Sequence, residues 1–209
     1  MAGVSDSNKA QLVMKQKGKP FTDDGILKPL SFSPNQLGVI FPYTPTIMIA
    51  HAANYGTYDI PGSVYQQNYY MNTSNPTISI TALFSANTIE EAKYTAAAIH
   101  FFKTCTKSDF GSQAGDTAGT PPPILKFSCY GSVHASNVPV ILRSFNYTLP
   151  EDTDYVTVEM DNNETINLPT LVLAAIELSP QLPPKTVKDQ FNIRNFASGK
   201  GLNGNGGFI

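Results

Sequence analysis

The chain has 209 residues, of which 41% are hydrophobic and 14% charged, with a formal net charge of −2. That length suits one domain, or one domain with an extension, and the apolar fraction is enough for a core. The charge balance excludes a generally basic nucleic-acid binder, and no apolar run approaches the roughly 18–20 residues of a membrane span.

The charged fraction lies below the roughly one quarter usual in globular chains. It leaves a surface of Thr, Ser, Asn and Tyr, much of it expected to be covered by partners. Residues 1–38 form a polar stretch punctuated by Pro and Gly, without a signal-peptide core. They are expected to form an extended arm, either disordered or ordered only on a neighbour. The cluster Lys15, Lys17 and Lys19 within it is expected to be a solvated basic tail.

The folded domain is expected over 39–190. Thr44–His51 alternates as a strand, Asn54–Pro61 is expected as a turn region, and Val64–Met71 as a Tyr-rich strand. Pro76–Ser85 alternates most cleanly, with Ile78, Ile80, Ala82 and Phe84 on one face. Thr88-Ile-Glu-Glu is a capping box that opens a helix ending near Thr106. Its apolar face is expected to carry Ile89, Ala92, Ala96 and Ile99. Ser108–Thr120 is a Gly-containing loop, and Pro121–Pro123 prevents the helix from resuming. Strands follow at Leu125–Cys129, Pro139–Tyr147 and Tyr155–Met160, with a hairpin turn at Asp161–Glu164. Leu168–Leu178 is nearly all apolar, so it is expected to be buried on both faces. The rest, with 191–209 as an extended tail, is rich in Pro, Asn and Gly and carries apolar anchors at Phe191, Phe196, Phe208 and Ile209. The sum is a mainly β fold of about seven strands with one packed helix, a small sandwich or partly closed barrel.

No arrangement for catalysis stands out. His51, His100 and His134 fall on different elements and lack metal-ligand spacing, so a metal site would need convergence with Asp109 or Cys129. A Cys129–His134 nucleophile pair would lack an orienting third group. The glycines of the 108–120 loop match no phosphate-cradling pattern, and Glu151, Asp152 and Asp154 suit a solvated turn. Tyr55, Tyr58, Tyr65, Tyr69 and Tyr70 cluster without neighbouring Lys or Arg. They fit core and interface better than a nucleic-acid platform. Two cysteines, Cys105 and Cys129, make no disulfide framework and are expected to be buried free thiols. The expectation is a non-enzyme without metal or cofactor.

A collinear set of motifs carries a resemblance. It comprises Phe41-Pro-Tyr-Thr-Pro-Thr-Ile, then Ile78-Ser-Ile-Thr-Ala-Leu-Phe followed by Thr88, Glu91, Ala92 and Tyr94. It continues with Ile99-His-Phe-Phe-Lys-Thr-Cys-Thr-Lys-Ser-Asp-Phe-Gly, Gly119-Thr-Pro-Pro-Pro, Asn137-Val-Pro-Val, Asp154-Tyr-Val, and Phe196-Ala-Ser-Gly through Gly206-Gly-Phe-Ile. Over residues 40–209 this resembles the tube-like domain of tail-tube initiators, also called baseplate tail-tube junction proteins, of contractile-tailed bacteriophages. The resemblance implies a tail-tube-like β-sandwich or barrel whose strands join those of neighbours in a hexameric ring. That ring would sit on the baseplate hub protein, template the first ring of tail-tube protein, and pass DNA only in transit through its bore. It implies assembly in the host cytoplasm into the virion tail and baseplate. Larger members carry a domain before the tube-like one, so contacts with the first sheath ring or wedge proteins stay open here. A major tail-tube subunit of a phage or related injection machine is the alternative.

Thr77–Phe84 and Leu168–Leu178 are expected to be the edge strands that join neighbours, because charge does not blunt them. Contacts between subunits are expected on the loop, at Ser108, Phe110, Gln113, Asp116 and Thr120. Others are expected on the tail, at Phe191, Arg194, Phe196, Phe208 and Ile209.

Overall fold

The computed structural model describes residues 9–14, 25–33, 36–108, 119–131, 134–159, 165–199 and 208–209. Their core element is an antiparallel sheet of eight strands. In chain order its strands are β1 (Gln11–Met14), β2 (Ser31–Ser33), β3 (Gln36–Ile40), β4 (Thr46–Ala50), β7 (Thr77–Ser85), β8 (Leu125–Cys129), β9 (Ala135–Thr148) and β12 (Leu171–Pro180). Across the sheet they run β2-β3-β1-β8-β9-β12-β7-β4. Two separate ribbons pair β5 (Ala53–Tyr58) with β6 (Gln67–Thr73), and β10 (Tyr155–Glu159) with β11 (Thr165–Pro169).

Alternation along the strands decides which face is buried. Leu12, Val39, Phe127, Val140, Ile176 and Ile80 form a continuous inner face with little or no exposure. The helix α1 (Ile89–Cys105) covers that face with Phe101, Phe102 and Cys105, and Phe102 packs on Phe145 at 5.0 Å between ring centroids. A 3-10 segment, Gly25–Leu30, lies against α1 and buries Leu27 and Leu30. A smaller cluster of Ala86, Ala92, Ala96 and Val158 seats the β10–β11 ribbon on the N-terminal half of α1.

A bulge in β9 makes room for this packing. Its register against β12 shifts between Glu177 and Leu178, so Leu142 and Phe145 both face inward although three positions apart. One extra residue reverses the parity of a strand and bends it.

The structure overturns several expectations. Residues 11–14 do not belong to an extended arm: β1 is inserted between β3 and β8, with Leu12 fully buried. Its close approach depends on Gly38, where a Cβ would lie 2.7 Å from the Val13 Cα. The 191–209 tail is not simply extended, because α2 (Pro184–Gln190) is followed by α3 (Ile193–Ala197). Asn54–Pro61 is mostly strand, not turn. The 168–178 run breaks at Thr170 into β11 and β12, and β12 is buried on one face only, with Leu173 on the open side. Leu and Ala on that side are tolerated without a covering layer, so an apolar run did not mean two buried faces. Ile89 points outward at 61% exposure because it sits in the first turn of α1, outside the arc that meets the sheet.

The Thr88 cap forms as expected, but Glu91 reaches back to Asn87 N–H, one residue beyond the Thr88 N–H of a full capping box. Glu91 N–H donates to Thr88 Oγ1 at 3.2 Å, and the Glu91 carboxylate accepts from Asn87 N–H at 3.1 Å. Thr88→Ala is expected to cost about 1 kcal/mol, measurable in urea unfolding as a lower midpoint at unchanged slope.

Tyr94 ties α1 to the sheet. Its hydroxyl donates to Ile40 C=O at 2.7 Å and accepts from Ile40 N–H at 2.8 Å. Burial pushes its pKa up to about 12. An unfolded Tyr titrates near ~10, so above that pH the unfolded chain binds fewer protons than the native one. Stability is then complete below pH ~10 and falls as pH rises toward 12. Tyr94→Phe is expected to lose roughly 1–3 kcal/mol at neutral pH, because both Ile40 backbone groups lose a partner. It should also flatten the alkaline decline, as followed by denaturant midpoints from pH 8 to pH 11.

Candidate assembly interface

The β5–β6 hairpin stands away from the domain. Its register runs from Ala53↔Thr73 to Tyr58↔Gln67, and neither strand joins the main sheet. Apart from Gly56 every residue of both strands is exposed. At the tip Val64 is 87% exposed and Tyr65 82%. Its backbone ladder is supplemented by cross-strand side-chain contacts. Tyr55 meets Tyr70 edge-on at 5.9 Å, and Asn54 Nδ2 donates to Asn72 Oδ1 at 2.7 Å. The Tyr69 ring lies over Gly56, where a Cβ would sit 2.5 Å from it. An isolated two-stranded hairpin is marginal in water, and its exposed tyrosines make it the candidate interaction surface.

The same end of the molecule carries the edge of the sheet. β4 pairs only with β7, and its sequence TIMIA has neither charge nor Pro to blunt the edge. The strands expected at the edge lie inside instead: β7 runs between β4 and β12, and β12 between β7 and β9. Beside β4, the open face of β7 and β12 presents Thr81, Leu83, Leu173 and Ala175, with Glu177 paired to Arg143 at 3.7 Å.

At the base of the hairpin lies a groove of about 780 Å³. Ile49, His51 and Pro76 form one wall, while Pro180 and Leu182 lead into the C-terminal segment that forms the other. Phe191 contacts Phe196 at 5.7 Å and Phe208 at 5.3 Å. Of the expected contact residues, Phe191, Phe196, Phe208 and Ile209 therefore converge on one groove. Arg194 is exposed on α3, where its N–H donates to the Asn192 side chain at 2.9 Å. Ser108 and Thr120 are exposed and do not line the groove. Phe110, Gln113 and Asp116 lie outside the described residues.

Among the described residues, the three histidines and two cysteines do not gather at one place. His51 and His134 both reach the groove, but His100 is exposed on α1. Among the described residues no group of three or more metal-ligating side chains converges. Cys105 and Cys129 are buried free thiols. Burial pushes the Cys129 thiol up to about 11, opposite to the activation of a nucleophile.

The hairpin was only half legible. The tyrosine cluster was expected to serve core and interface, yet all five rings are exposed and none joins the core, and Gly56 and Pro61 suggested a turn where β5 runs. The β4 edge and the histidines of the groove were missed because edge position depends on strand order, which one sequence does not contain. Comparison with known proteins finds no matching family model and no matching curated relative.

Proposed function

We propose that this chain is a structural subunit of a phage baseplate and tail, forming a ring on the baseplate hub that initiates tail-tube polymerisation. The observation that carries this reading is the hairpin Ala53–Thr73, whose tyrosines are displayed to solvent with no core beneath them. Such a surface is stabilised by a partner, and an uncharged edge strand beside it offers backbone hydrogen bonds to a second chain. Heterologous contacts of this kind close into rings when the rotation permits. The motif order over residues 40–209 supplies the kind of ring, and the low charge of the open sheet face suits a bore through which DNA passes without binding.

In this reading the hub protein and the tail-tube protein occupy opposite faces of the ring, and a hexamer is the expected symmetry. Mixing the purified chain with its hub partner should give closed rings in negative-stain micrographs. Long tubes from the chain alone would instead assign it as a major tail-tube subunit.

Removing residues 196–209 is expected to weaken association more than folding. The described residues removed are at best half-buried, and a chain of this size loses about 2–4 °C in melting midpoint per kcal/mol of lost packing. Sedimentation of the assembled species and a thermal melt of the same sample separate the two effects. Unfolding on truncation would show that the segment is core.

A further inference from the structure

From Thr46 to Thr77 no residue is buried, whereas Pro45 and Ile78 on either side are. This run comprises β4, the β5–β6 hairpin and the links between them. What fastens it to the domain is the β4–β7 ladder, five pairs from Thr46↔Thr81 to Ala50↔Thr77. Prolines limit that ladder at both ends. Pro45 and Pro76 occupy the next register positions on β4 and β7, and neither has an N–H to give.

Side chains add little to the fastening. Ile47 and Ile49 are half-buried against the core, and the other three residues of β4 are exposed. Asp59, exposed near the hairpin tip, is the only Asp, Glu, Lys or Arg of the run. Hydrogen bonds at the hairpin base close within it: Ser74 N–H donates to Ala52 C=O at 2.9 Å, and Asn54 Nδ2 donates to Ser74 Oγ at 2.8 Å. The groove separates that base from the C-terminal segment. β7, by contrast, is held without β4. It pairs with β12 from Ile78 to Ser85 and buries Ile78, Ile80, Ala82 and Phe84.

We infer that β4 and the hairpin form a gate, which detaches from β7 as one piece while the rest of the sheet stays paired. Its hinges are Pro45 and Pro76. Pro45 is buried and its C=O accepts from the Tyr130 hydroxyl at 3.1 Å, so the chain before the gate stays fixed. Detachment uncovers the edge of β7, an uncharged strand of nine residues. Closed, β4 covers that adhesive edge with a shorter one. The gate follows from the pairing within one chain and does not rest on the ring reading.

Hydrogen exchange of the full chain, read by mass spectrometry, tests it. Peptides covering Thr46–Ala50 should exchange at least about 100-fold faster than peptides covering β12, whose amides open only with the whole domain. Low urea should accelerate β4 with a smaller slope than β12, because detachment exposes less surface than unfolding. Met48→Cys combined with Ser79→Cys supplies a lock. The two positions face each other across the strands, which puts their Cα atoms about 4.5–5.5 Å apart, within disulfide reach. The native thiols are buried. Once the crosslink is confirmed by mass, β4 exchange should fall to within about tenfold of β12, and reduction should restore the fast rate. Exchange of β4 at the β12 rate in the unmodified chain overturns the gate. So does fast exchange that survives the crosslink, since single amides then fray without detachment. Rings with slow β4 exchange would contradict the gate alone, and a monomer with fast β4 exchange would contradict the ring reading alone.

Discussion

Ile80→Asp is expected to leave no folded domain. Ile80 is 1% exposed and stands in β7 between Ile47 of β4 and Ile176 of β12, on the inner face of the sheet. Removing the isoleucine forfeits about 1.5–3 kcal/mol of apolar burial. The aspartate must then either bury an unpaired charge or take up a proton, a penalty of several kcal/mol more. Against a total stability of roughly 5–15 kcal/mol, the sum removes most or all of the margin. Thr81→Asp, one residue along on the open face, provides the control and should stay folded. Circular dichroism and a melt of both variants decide the matter. A soluble, cooperatively melting Ile80→Asp protein would contradict the inner-face assignment.

Charge on the hairpin should do the reverse. Val64→Glu combined with Tyr65→Glu changes the two most exposed large apolar side chains among the described residues, which contribute nothing to the core. Exposed substitutions of this kind usually stay within about 0.5 kcal/mol in stability. In a docked hairpin, however, two carboxylates would enter a desolvated contact without partners. Losses there reach 2 kcal/mol or more per anchor residue, so association should weaken by at least about tenfold. Sedimentation velocity over a concentration series measures the association, and a melt confirms an unchanged fold. Undiminished association would remove the hairpin from the interface.

What the sequence revealed depends on how local the cause was. The Thr88 cap and the Pro76–Ser85 alternation are set by neighbours a few residues apart, and both were legible. β1 was hidden because Gln11–Met14 is short, flanked by lysines, and gains its burial from β3 and β8, far away in the chain. The inward pairing of Leu142 and Phe145 was equally hidden, since a bulge arises from register with β12. The candidate interface divides in the same way. Aromatic anchors such as Phe191 and Phe208 announce themselves by composition, whereas their meeting with His51 and Ile49 is a product of the fold.

A ring built on a hub can be seen by cryo-electron microscopy of the chain mixed with the proposed baseplate hub and tail-tube partners. Six-fold rings seated on the hub are expected, with the Ala53–Thr73 hairpin buried against a neighbouring chain. A stable, inert monomer in the presence of both partners would contradict it.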